Sequence, residues 1–122
     1  MAKTVLSVDD SASMRQLIKL TLGGAGYGVV EAADGEDALG KLRDGPVDMV
    51  VTDVNMPRMD GISLIRELRK MSTFKGIPIV LLTTESDEER KREARAAGAT
   101  GWITKPFKQD QLLGVVRKVL GA

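Results

Sequence analysis

Short runs of Val, Ile, Leu and Met alternate along this chain with longer stretches in which apolar residues recur every three or four positions. The first pattern suits strands covered on both faces and the second suits amphipathic helices, so the chain reads as successive β-α units around a parallel sheet. Strands are expected over residues 5–8, 27–33, 47–52, 77–83 and 101–104. Met49, Val50 and Val51 form a nearly continuous apolar run, which predicts the central strand.

Between the strands, Met14, Leu17, Ile18 and Leu22 mark a first helix that Ser11 can cap and that Gly23, Gly24 and Gly26 stop. Ala38, Leu39 and Leu42 mark a second over residues 34–43, ended by Gly45 and Pro46. Met56-Pro57 imposes an extended or turn conformation before Asp60 caps a third helix with Ile62, Ile65, Leu68 and Met71 inward. The helix over 86–97 has a thin Ala stripe, and its charge run over 87–93 reads as a solvated face with pairs such as Glu88–Arg92. Leu112, Leu113, Val116, Val119 and Leu120 line the last helix, over 110–120. Right-handed crossovers and two sheet faces to cover then predict an α/β fold: a doubly wound, five-stranded parallel sheet of order 2-1-3-4-5, flavodoxin-like, flanked by five helices.

A length of 122 residues suits one domain over 1–122. The chain has 18 Lys and Arg against 17 Asp and Glu and no basic arm, so nucleic-acid binding has little electrostatic support. No Cys and no His are present, which excludes disulfides, thiolate chemistry, a Ser-His-Asp triad, a histidine metal site and any phosphohistidine on this chain. Residues 1–4 lead into an apolar run ending in two aspartates, unlike a signal peptide, and no run approaches a membrane span. A cytoplasmic location without membrane insertion is expected. Gly23-Gly24-Ala25-Gly26 ends a helix instead of opening one after a strand, so it supports neither a P-loop nor a dinucleotide fingerprint.

The candidate chemistry lies where the strands end. Asp9 and Asp10 follow the first, Asp53 follows the third, Thr83 ends the fourth and Lys105 follows the fifth. Parallel strands point one way, so all five groups can meet at one sheet edge, beside the crevice where the winding reverses. One Asp after a strand is commonly a turn former or helix cap, but three carboxylates together repel unless a cation intervenes. Oxygen donors of this kind suit magnesium better than zinc. Asp10 and Asp53 are assigned as direct ligands, Asp9 as a ligand through water or an orienter, and the backbone carbonyl of Asn55 as the remaining protein ligand. An Asp53 oxygen turned away from the metal is a competent nucleophile toward phosphorus. Lys105 and the Thr83 hydroxyl could then neutralise the oxygens of a transferring phosphoryl group. Trp102, three positions before Lys105, could change rotamer when Thr83 moves.

Asp9-Asp10, the segment Thr52-Asp53-Val54-Asn55-Met56-Pro57-Arg58-Met59-Asp60-Gly61, Thr83-Thr84 and Lys105-Pro106-Phe107 together resemble the receiver domain of bacterial two-component response regulators. The resemblance runs the length of the chain and implies a stand-alone receiver, monomeric, of the chemotaxis kind. It implies phosphorylation of Asp53 from a phosphohistidine on a sensor histidine kinase (CheA-like), with Mg²⁺ held by Asp9, Asp10, Asp53 and the Asn55 carbonyl. Thr83 and Lys105 would contact the phosphoryl group, and the Lys105-Pro106 bond would be cis. Asn55 and Glu85 stand at the positions that tune hydrolysis in the family, and both match the chemotaxis subgroup. The active form would act on a flagellar motor switch protein or another output protein, and a phosphatase is a further possible partner. Thr83 and Trp102 form the expected switch, although the family usually carries Tyr or Phe where this chain has the larger indole. Two alternatives share the motif: a receiver that merely drains phosphoryl groups from a shared kinase, and a Mg-dependent phosphohydrolase. The second usually has a general acid two residues past its nucleophile, where this chain has Asn55.

Overall fold

A computed structural model describes residues 3–84 and 88–121. Its elements are β1 (Thr4–Val8), α1 (Ala12–Gly24), β2 (Gly28–Ala32), α2 (Gly35–Asp44), β3 (Met49–Asp53), α3 (Gly61–Lys70), β4 (Ile79–Thr84), α4 (Glu88–Ala97), β5 (Gly101–Lys105) and α5 (Gln109–Leu120). The strands form one parallel sheet in the order β2-β1-β3-β4-β5, which is the expected doubly wound topology. Register pairs Val8 with Thr52, Asp53 with Leu82 and Thr84 with Lys105, so the ends of β1, β3, β4 and β5 share one edge.

Side-chain alternation along the strands divides the core in two. Leu6, Val8, Val50, Ile79 and Leu81 face Leu42 of α2, Ile62, Ile65 and Leu68 of α3, and Ala94 of α4. Val5, Met49, Val51, Val80 and Leu82 face Ile18 and Leu22 of α1 with Leu112 and Val116 of α5. Pro78 falls just outside β4, where its carbonyl still accepts from the Val50 N–H at 3.0 Å. Ser11, Asp34 and Asp60 cap α1, α2 and α3, accepting from the backbone N–H three residues on at 3.2, 2.9 and 2.7 Å.

Three local expectations are corrected. Gly23 and Gly24 lie inside α1, and the chain turns away only at Gly26, whose φ of 96° favours glycine. Met71 is the C-cap of α3 and 38% exposed, because the helix has ended there; fully buried Leu64 completes the inward stripe instead. On α4 the ion pairs are Glu88–Lys91 at 3.6 Å and Arg90–Glu93 at 3.5 Å, three residues apart, and not Glu88–Arg92. The first residues of the helix expected over 86–97 lie outside the described residues. No helix among the described residues is long and apolar enough to cross a membrane.

Candidate functional site

Asp9 leaves β1 nearly buried, at 1% exposure, whereas neighbouring Asp10 is exposed. Asp53 is the last residue of β3. One carboxylate oxygen from each lies within 4.8 Å of the others. Packing alone would not hold three acids so close, and two backbone donors help position them. The Ser11 N–H donates to Asp9 Oδ1 at 2.9 Å, and the Val54 N–H donates to Asp53 Oδ1 at 3.0 Å. Lys105, at the end of β5, extends Nζ to the same Asp53 oxygen at 2.9 Å. The Asp53 Oδ1 lone pairs are thereby engaged, and Oδ2 is the oxygen left for other chemistry.

Asp9 carries the clearest sign of an incomplete shell. Its Oδ2 is buried and has no hydrogen-bond partner among the described residues. Burial is the main reason its carboxyl titrates above the ordinary range; the Ser11 N–H opposes that rise, and the charge of Asp53 adds to it. A buried, unpartnered carboxylate oxygen beside two further acids fits a hard divalent cation, whose charge would reverse that repulsion. Magnesium matches this all-oxygen donor set. Asn55 lies exposed two residues beyond Asp53 in the segment between β3 and α3.

Thr83 is buried at the end of β4, its hydroxyl making, among the described residues, only a long 3.4 Å contact with the Thr84 carbonyl. It borders a narrow cleft shared with Val54, Leu81, Ala94 and Trp102 that leaves no room for a water molecule. Trp102 is half-buried on β5, and two cations of α4 lie over its ring, Lys91 at 5.7 Å and Arg95 at 5.2 Å from the centroid. The Lys105–Pro106 peptide is cis. Glu85 lies outside the described residues.

Several groups that shape the site were not singled out for it. Gly61 packs its Cα directly on the Asp53 backbone; Asp60-Gly61 reads in sequence as a simple cap and turn. Arg15 donates from Nη1 to the Asp9 carbonyl at 2.6 Å, and its place on α1 one turn after Ser11 is the only signal for that role. Arg58 reaches Asp34 across the top of the sheet, a contact with no local signature.

The family model for the response regulator receiver domain matches residues 5–117. The chemotaxis protein CheY1 of Helicobacter pylori is 41% identical over 119 residues, covering 96% of both chains. The chemotaxis protein CheY of Pseudomonas aeruginosa is 39% identical over 94% of both. Among solved structures, Vibrio cholerae CheY4 is similar with a TM-score of 0.94 and 46% identity, covering 98% of this chain and 100% of its own. The receiver domain of a P. aeruginosa sensor histidine kinase, solved with magnesium in its active-site cleft, has a TM-score of 0.90 and 27% identity over the whole of both chains. Sheet order, the acidic cluster and these similarities agree, and the chain belongs to the response regulator receiver family.

Proposed function

We propose that this receiver is a phospho-acceptor switch in which Asp53 takes a phosphoryl group from a histidine kinase and the phosphorylated form changes its affinity for an output protein. The observation that carries this reading is the split of the Asp53 carboxylate, in a cluster whose three acids bring one oxygen each within 4.8 Å: Oδ1 is held by Lys105 and the Val54 N–H, while Oδ2 accepts no hydrogen bond among the described residues. In the transfer, the Asp53 oxygen turned away from the metal forms a bond to phosphorus as the P–N bond of the donor phosphohistidine breaks. The electron pair of that bond goes to the imidazole nitrogen, which takes a proton from solvent. Magnesium, held by Asp9, Asp10, Asp53 and the Asn55 carbonyl, would supply positive charge to the phosphoryl oxygens, as the magnesium in the P. aeruginosa relative supports. Lys105 would pass from the carboxylate to one phosphoryl oxygen and the Thr83 hydroxyl would donate to another. Movement of Thr83 would disturb the cleft under Trp102 and so reposition α4, which exposes the change to a partner.

The chemotaxis names of the relatives favour a chemotaxis kinase as donor and a flagellar motor switch protein as output. Residues 1–122 would act as one receiver domain, as a monomer in the cytoplasm, with Asn55 and Glu85 setting the rate of hydrolysis and a phosphatase as an accessory partner. A small phosphodonor with Mg²⁺ should change Trp102 fluorescence, and Asp53→Asn should abolish the change. Persistence of a Mg-dependent response in Asp53→Asn would overturn the assignment. Rapid multiple turnover of phosphomonoesters would favour a phosphohydrolase instead.

A further inference from the structure

Asp34 is 2% exposed and its Oδ1 already caps α2 through the Asp37 N–H at 2.9 Å. Its second oxygen accepts from both Nε and Nη2 of Arg58, the former at 2.8 Å. Arg58 reaches it from a left-handed backbone, φ 63°, the one such value at a non-glycine among the described residues. Next to it, the Gly35 N–H donates to the Met59 carbonyl at 3.2 Å, and Met59 lies so close that a Cβ on Gly35 would come within 2.6 Å of its side chain. The turn before α2 is thus fastened to the segment between β3 and α3. That segment is fixed again at its far end, where the Gly61 N–H donates to the Val54 carbonyl at 2.9 Å. Asn55 lies between the two fastenings.

A latch made only for stability would be poorly built. The Arg58 side chain is 60% exposed, so solvent screens its attraction to Asp34 even though that carboxylate is buried. The left-handed backbone works against it as well, and such outliers concentrate where geometry serves a function. We infer that Arg58 is a positioning residue: by chelating Asp34 it holds the segment over residues 54–60 so that the Asn55 carbonyl is presented to the acidic cluster. This rests on the magnesium reading of that cluster given above. Residues behind a metal's direct ligands commonly govern affinity by orienting those ligands, and a two-nitrogen grip on one carboxylate is a contact that Lys cannot reproduce.

The test is titration of Mg²⁺ alone into the unphosphorylated protein, followed by calorimetry, well below the melting temperature. Asp34→Asn keeps a good helix cap and removes the charge, while Arg58→Gly removes the guanidinium and relieves the left-handed backbone, and titrating below each variant's own melting temperature keeps any loss of stability out of the readout. Each should weaken Mg²⁺ binding about tenfold, Arg58→Lys should not restore it, and the double variant should be no worse than either single one. Asp10→Asn, a proposed direct ligand, serves as the control. If Asp10→Asn loses Mg²⁺ binding while Arg58→Gly stays within about twofold of the parent protein, the positioning role is overturned. Additive losses in the double variant would overturn it too. Unchanged affinity in Asp10→Asn would overturn the magnesium reading itself, and this inference with it.

Discussion

A Cβ placed on Gly61 would lie 2.2 Å from the carbonyl oxygen of Asp53, so the start of α3 rests on the backbone of the proposed phospho-acceptor. No flexible side chain can yield there, because the obstructing atoms are the backbone of Asp53 and Val54. Gly61→Ala should cost about 1–3 kcal/mol in urea denaturation and slow Mg-dependent phosphorylation from a small donor, since the strain is discharged into Asp53. Parental stability and rate in that variant would contradict the contact's importance.

The acidic cluster should be a liability without metal. Carboxylates about 4 Å apart repel by about 1 kcal/mol even in water-like surroundings, and more where solvent is excluded. Asp10→Asn should therefore raise the urea midpoint in metal-free buffer and remove the further rise that Mg²⁺ gives the parent protein through binding the native state. A lower midpoint in chelator would count against mutual repulsion.

Asp34 supplies a pH dependence of opposite origin. The Asp37 N–H foremost, together with the Arg58 guanidinium, holds its carboxyl below the usual range in the folded protein despite burial. A group depressed in this way contributes stability above its unfolded value, near 3.8, and loses it as pH falls through the lower folded value. The midpoint difference between the parent and Asp34→Asn should be full at neutral pH and shrink below about pH 4. A difference that grows on acidification would reverse the sign and refute the cause.

Arg69 ties together parts of the fold remote from the acids. Its guanidinium donates to the Gly98 carbonyl at 2.8 and 3.0 Å and to those of Phe74, Lys75 and Ile77 at 3.2, 2.9 and 2.7 Å. Arg69→Met would leave several of these carbonyls short of a donor and should cost about 2–3 kcal/mol, with Mg²⁺ affinity unchanged. Equal stability of variant and parent would show that water replaces the guanidinium without loss.

The sheet order and the meeting of Asp9, Asp10, Asp53 and Lys105 were legible because both depend on simple repetition. Strand runs bury on two faces, and the ends of parallel strands share an edge whatever lies between them in sequence. Contacts that depend on tertiary approach left no such trace. Arg58 with Asp34 and Arg69 with Gly98 join residues without periodicity or a shared motif, and nothing in the segment that holds both Asp53 and Gly61 marks their backbone contact. Met71 misled for the converse reason, since helical spacing continues in the sequence one step past the point where the helix stops. Lys91, read as part of a solvated face, and Arg95 four positions on instead cover the Trp102 ring.

The most direct measurement is the position of the phosphoryl group itself. After treatment with a small phosphodonor and Mg²⁺, borohydride reduction of the acyl phosphate and peptide mass spectrometry should place a single modification at Asp53, absent when Mg²⁺ is chelated. Modification at Asp9 or Asp10 in place of Asp53, or labelling of Asp53 that is indifferent to the metal, would contradict it.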